Sequence, residues 1–325
     1  MSHPLLSSVS LSVLRERVAA FRRLDLSSAS IDQVQKRLDR VLFGYSIQPQ
    51  AIQFPFVWRA RQNEPGQRFE RVEELWYPPA TVTRMGRLNE PGQPVFYASG
   101  GAALAMSEIR AKAGDIITLL KVRTKGELVP LSEIRAREDG TRRNVRLPIM
   151  PDGIPPYLDL VPKIVFSAIG IERLRVTSLS NPEKLAWSAR YQATMGSLST
   201  QRKWMLIDDF LAEHLTRDVA PGSEYLYKPT IALAREMFGI PYLHGILYPS
   251  VASGLRGENV CFSTRLADLL LEPAHLFIYQ LQNEPVDRDF TVRLLSMGLP
   301  QRDGSIQWSN GGAAESVSGD LLNLL

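Results

Sequence analysis

A chain of 325 residues with 44% hydrophobic and 22% charged residues has the composition of a soluble globular protein with ample material for a buried core. Its net charge of +4 permits anionic ligands such as nucleotides but is too diffuse to argue for nucleic acid. The single cysteine, Cys261, excludes an internal disulfide framework, and the four histidines (His3, His214, His244, His275) form no ligand-spaced pair, so no metal site is expected.

No apolar run approaches the length of a membrane span, and the N-terminus lacks a charged region followed by an apolar core. The expectation is a cytoplasmic protein with no membrane partner. Residues 1–48 read as a helical N-terminal extension. Leu11, Leu14, Val18 and Phe21 share one face at helical spacing. Ser30 with Gln33 resembles a capping box that opens a second helix, whose face carries Ile31, Val34, Leu38 and Val41. This pair is expected to be a packing appendage or a dimer surface without chemistry.

Residues 49–285 change character, to short apolar strands and proline-rich turns. Strands are predicted at Phe54–Arg59, Val95–Ala98, Ile116–Val122, Leu128–Leu131, Ile246–Tyr248, Val260–Phe262 and Leu276–Leu281, and helices at Ala102–Ala111, Met205–Leu215 and Thr230–Phe238. The arginine-rich segment 133–146 reads as a solvated loop or hairpin. Alternation without a steady βαβ repeat predicts a mixed α+β domain, one sheet with flanking helices. Residues 286–325, rich near their end in Gly, Ser and Asn, are expected to be a loose tail. Asn-Glu-Pro-Gly-Gln occurs at 63–67 and at 89–93, and Asn283-Glu284-Pro285 echoes it. Proline followed by glycine is a type II turn signal, so the repetition needs no functional explanation.

Four positions carry chemical interest on their own residues. Arg87 precedes a tight turn, where a guanidinium can fork onto a phosphate or serve as an ordinary surface cation. Tyr97 ends an apolar run, so its ring is half buried and its hydroxyl seeks a polar partner; it can stack on a flat ring or simply fill core. Glu108 lies in the small apolar helix Ala102–Ile109, where a carboxylate is costly unless paired. Ser250 ends a buried-type strand beside Gly254, Gly257 and Asn259, a setting that suits an anionic or amide-bearing ligand or a plain turn.

The run Gly86-Arg87-x-Asn89-x-Pro91-Gly92, then Tyr97, Ala103–Glu108, Tyr248-x-Ser250 and Asn259-x-x-Phe262, resembles the RES domain family over roughly residues 50–285. The chain has Leu88 where compact members carry tryptophan. That resemblance implies an ADP-ribosyltransferase-like fold and an enzyme that degrades NAD at its nicotinamide–ribose bond, with phosphate or water as acceptor. NAD is then a substrate, and no cofactor is implied. Glu108 and Arg87 match the family's catalytic glutamate and arginine. Tyr97, Ser250, Arg59 and Asn259 match substrate-binding positions. The resemblance also implies a toxin neutralised by an Xre-type antitoxin protein; nucleic acid is not an expected partner, and self-association stays open. Two other readings remain: ADP-ribose transfer to a macromolecule, and non-catalytic nucleotide binding in which the N-terminal helices do the work.

Overall fold

A computed structural model of the chain describes residues 6, 8–45, 49–52, 56–125, 164–168, 197–240, 243–255, 257–283, 290–310 and 316–318. The expected strand 128–131 and the arginine-rich segment 133–146 lie outside the described residues. In chain order the first elements are α1 (Leu11–Arg22), α2 (Ile31–Val41), β1 (Pro49–Ile52), β2 (Phe56–Gln62), β3 (Val95–Ser99), α3 (Ala102–Glu108) and β4 (Ile116–Thr124). Then come β5 (Ile164–Ala168), α4 (Leu198–Leu215), α5 (Lys228–Phe238), β6 (Gly245–Pro249), β7 (Glu258–Ser263) and α6 (Thr264–Leu270). The chain closes with β8 (Leu271–Leu281), β9 (Thr291–Pro300), β10 (Ile306–Asn310) and β11 (Ser316–Ser318).

The strands form one sheet in the order β1-β5-β6-β7-β3-β2-β4-β8-β9-β10, with β11 also pairing β9. Every pairing is antiparallel except that of β5 with β6. With helices packed on the sheet, the architecture is mixed α+β. Among the described residues no helix is long and apolar enough to cross a membrane.

Local signals explain where the helices begin. Ser10 caps α1 by accepting from the Val13 amide, and Ser30 accepts from the Gln33 amide at 3.2 Å while Gln33 Oε1 accepts from the Ser30 amide at 2.8 Å. This is the capping box that the sequence spells out. Helix α3 ends where Arg110 takes a left-handed φ of 51°, a conformation that stops helices. The two Pro-Gly turns also fold alike: Gly66 and Gly92 adopt φ of +76° and +77°, and Gln67 and Gln93 donate back to Glu64 and Glu90.

Two expectations are corrected. The N-terminal helices are not an appendage, because Leu14, Val18, Phe21, Val34, Leu38 and Val41 share one core with Trp204, Phe210, Ala232, Leu233 and Tyr248. Their apolar faces are covered by α4 and α5, which the sequence separates from them by some 150 residues or more. The tail from 286 is not loose where it is described. β9 pairs β8 along Leu276–Leu281, and β10 returns along β9. Gly298 is the point where Trp308 and Ile306 pack against bare backbone; a Cβ there would come within 2.8 Å of the indole.

One irregularity of the sheet positions the site. β2 pairs β4 continuously from Phe56 to Gln62, but meets β3 only at Trp58 with Ser99. The two strands therefore diverge, and a cleft opens between them.

Candidate active site

A cavity of about 270 Å³ lies in that divergence. Its walls come from β2 (Trp58, Arg59), β3 (Tyr97, Ser99), the end of α3 (Glu108), Tyr248 of β6 and Asn259 of β7. Four of the residues singled out in the sequence, Arg59, Tyr97, Glu108 and Asn259, thus line one cavity although up to 200 positions separate them. Ser250 joins them through Glu108.

Glu108 is the hub. Its Oε1 accepts from the Ser250 hydroxyl and from Asn259 Nδ2, the latter at 2.7 Å. Ser250 is fully buried and Asn259 is 3% exposed, so both donors are fixed by the sheet. Ser99 Oγ in turn donates to Asn259 Oδ1 at 2.7 Å. That bond, with the negative charge opposite, sets the amide so that its N–H and not its carbonyl faces the carboxylate. Glu108 Oε2 makes no hydrogen bond among the described residues. The carboxylate is therefore held by one oxygen and offers the other.

The apolar helix that makes a carboxylate at 108 look costly does not bury it. Ala102–Met106 are buried, but Glu108 is the last residue of α3 and is itself exposed. The apolar character of the helix reflects the packing of Ala102, Ala103, Ala105 and Met106 on the core of Trp58 and Ile117, which Ile109 also joins, while Glu108 points away from it.

Arg59 spans the diverging strands. Its Nε donates to the Leu75 carbonyl at 3.0 Å and its Nη1 to the Tyr97 carbonyl at 2.8 Å, while the guanidinium lies over the Phe96 ring at 5.6 Å. The side chain replaces the ladder that β2 and β3 do not make, meeting a carbonyl that would otherwise lack a donor. Enclosure lowers the Arg59 pKa to about 10, with Arg61 nearby adding to the effect. It remains a cation at neutral pH.

Tyr97 shows its ring to the cavity and spends its hydroxyl elsewhere. The oxygen accepts from the Leu88 amide at 2.7 Å and donates to Asn89 Oδ1 at 2.9 Å, gripping the turn that carries Arg87. Gly86 is needed in this turn, because a Cβ would collide with Asn89 Oδ1 and stand 3.1 Å from the Tyr97 oxygen. The Tyr248 hydroxyl has no hydrogen-bond partner among the described residues. Burial holds both phenols well above their usual range, so both stay protonated.

Arg87 is not brought onto the cavity wall. Nη1 donates to the carbonyls of Leu215 and Arg217, at 2.8 and 3.0 Å, and the guanidinium stacks over Tyr227 at 5.0 Å. A cation on the last carbonyl of α4 and on one just past its end is a helix C-terminal cap. Sequence reasoning had no means to see that the end of α4 lies beside this turn.

It also missed Trp58, Ser99 and Tyr248 as parts of the site. Ser99 did leave a signal: a small polar residue closing the apolar run Val95–Ala98, immediately before Gly100-Gly101. Among the described residues no cluster of His, Cys, Asp or Glu could hold a metal ion. No family model, no curated protein and no solved structure matches the chain significantly.

Proposed function

We propose that the chain cleaves the nicotinamide–ribose bond of NAD, with water or phosphate as acceptor. The observation that supports this reading best is the half-engaged carboxylate of Glu108, fixed by Ser250 and Asn259 at the wall of a cleft that also carries aromatic rings. Departure of nicotinamide leaves an oxocarbenium-like ribose, and a carboxylate oxygen held beside it stabilises the charge as it develops. Nicotinamide leaves as a neutral molecule from a cationic precursor, so no second acid is needed to protonate it, unlike in glycoside hydrolysis. The electron pair of the broken C–N bond goes to the nicotinamide nitrogen. The acceptor oxygen then bonds to the ribose carbon and yields ADP-ribose, with a proton released, or ADP-ribose phosphate.

The other residues take roles in keeping with their contacts. The rings of Tyr97 and Trp58 give the flat nicotinamide a surface to pack on. The Tyr248 hydroxyl is a donor for the carboxamide or a ribose oxygen. Arg59, with N–H groups left over from its two carbonyl bonds, supplies positive charge to the pyrophosphate. Arg87 acts through the turn it anchors and is a positioning residue in this reading. The cavity is slightly smaller than the roughly 300–1,000 Å³ usual for small-molecule sites. It suits the nicotinamide riboside end, with the adenylate outside.

Phosphorus NMR of NAD incubated with the protein, with and without phosphate, tests turnover and acceptor together. Glu108→Gln should lower the rate on the order of a hundredfold or more. The glutamine oxygen can still accept from Ser250 and Asn259, so the thermal transition should not move. NAD consumption by the variant at the wild-type rate overturns the assignment, and label from NAD fixed on a macromolecule redirects it to ADP-ribose transfer.

A further inference from the structure

Away from the cleft, a groove of about 450 Å³ runs between α2 and the loop that joins it to α1. One wall is a single face of α2, where Gln33, Lys36, Arg37 and Arg40 follow at helical spacing. The other is Leu24, Asp25, Ser28 and Ala29. The loop is rigidly built. Lys228 of α5 donates to the carbonyls of Leu26, Ser27 and Ala29 at 2.7, 3.2 and 2.7 Å. Asp25 accepts from the Ser27 amide and from both the Ser27 and Ser28 hydroxyls.

Lys36, Arg37 and Arg40 are exposed and make no side-chain hydrogen bond or ion pair among the described residues. Of the two acids of α2, Asp32 is paired with Arg235, and Asp39, which accepts from Gln35, is not part of the groove's lining. Asp25 offsets one of the three positive charges, so the groove keeps a net positive character. The capping box takes up the Ser30 and Gln33 amides, so the positive character of the groove is that of its side chains.

We infer that this groove docks an acidic peptide segment of a partner protein. Charge complementarity calls for an anion, and guanidinium forks match carboxylates bidentately. The groove's lining contains no aromatic residue to stack bases, which single-stranded nucleic acid sites use. It offers the half-buried Leu24 for apolar side chains instead, and a peptide alternating acids with leucines meets both features. The inference is independent of the NAD reading.

The probe is a short fluorescein-labelled peptide repeating Glu-Glu-Leu, measured by anisotropy on the full chain, beside a labelled single-stranded oligonucleotide of equal charge. The peptide should bind more tightly than the oligonucleotide and weaken as salt rises. Lys36→Glu/Arg37→Glu/Arg40→Glu should bind it at least about tenfold less well, because all three substitutions turn attraction into repulsion. A control with the same charge change at exposed positions outside the groove, Lys112→Glu/Arg202→Glu/Arg302→Glu, should bind nearly as wild type does. Equal losses in the two variants, no loss in the groove variant, no peptide binding at all, or tighter binding of the oligonucleotide would each overturn the inference. Circular dichroism melts confirm that both variants fold, as exposed positions lead one to expect.

Discussion

Strand β2 is closed on its two flanks by different means. Toward β4 it makes a continuous ladder, Phe56–Gln62 against Ile117–Arg123, and the register continues past its end where the Asn63 amide donates to the Ile116 carbonyl. Toward β3 it makes one pair, and the Arg59 guanidinium bridges to the Tyr97 carbonyl, while on the far side of the cleft a chain of side chains runs from Ser99 of β3 through Asn259 of β7 to Glu108 and Ser250. A backbone ladder leaves no room between strands and presents no chemistry. Side chains holding strands apart leave a cavity, and their unused atoms face it. The same strand is thus scaffold on one side and candidate site on the other.

If Arg59 is what spans the open flank, removing it should have the largest effect on stability. Arg59→Met leaves the Leu75 and Tyr97 carbonyls without their donors, and with hydrogen bonds to charged groups worth roughly 1.5–3 kcal/mol each, unfolding free energy should fall by about 3–6 kcal/mol. Urea unfolding checks this. A loss no larger than that of an exposed arginine would mean that the flank is held some other way.

A somewhat smaller effect comes from neither flank and has to be separated from both. His214 is 5% exposed, edge-on to Phe21 and Phe210, with neither ring nitrogen hydrogen-bonded. Burial lowers its pKa to about 4, and that of His244 likewise to about 4. Each folded-state value lies below the unfolded one near 6.5, so the unfolded chain binds more protons between these values. The stability is complete above about pH 6.5 and is lost as pH falls toward 4, by up to about 3 kcal/mol for His214. His214→Phe should remove that part of the pH dependence. Acid inactivation that parallels this loss of fold says nothing about the cleft.

How much of this could be read in the sequence depends on how local the cause is. The capping box of Ser30 and Gln33 and the turns at Gly66 and Gly92 involve residues four or fewer positions apart, and their chemistry is written there. The apolar runs of β3, β4 and β7 were visible because buried strands need them. Arg87 looked like a ligand group, since nothing nearby in sequence shows the α4 carbonyls that occupy it. Glu108 attracted notice for its apolar helix, but it is the last residue of α3 and faces the cleft and not the core. The strands β9 and β10 were missed because Gly298 and the serines around it look like loop until Trp308 is seen packed on the glycine. Contacts between distant segments decided each of these.

The smallest stability effects give the sharpest contrast between the flanks. Thr118 Oγ1, on the laddered flank, donates to Asn63 Oδ1 at 2.8 Å, and Ser99 Oγ, on the open one, donates to Asn259 Oδ1 at 2.7 Å. Both hydroxyls are buried, each bonds an asparagine carbonyl, and each loss strands one buried acceptor. Thr118→Val and Ser99→Ala should therefore each cost about 1–2 kcal/mol of stability. Their consequences for NAD turnover should differ. Without Ser99 the Asn259 amide loses the bond that orients it toward Glu108, and the carboxylate loses its fixed position; turnover should drop about tenfold, as misplacement by a fraction of an ångström suffices for such losses. Ser99→Thr, which keeps the hydroxyl, should recover most of the rate. Thr118→Val should leave the rate as it is, because the other side-chain partner of Asn63 is the Gln67 carbonyl and neither residue lines the cleft. Equal turnover losses in the two variants would mean that activity follows stability alone, and the open flank would then have no chemistry that the laddered one lacks.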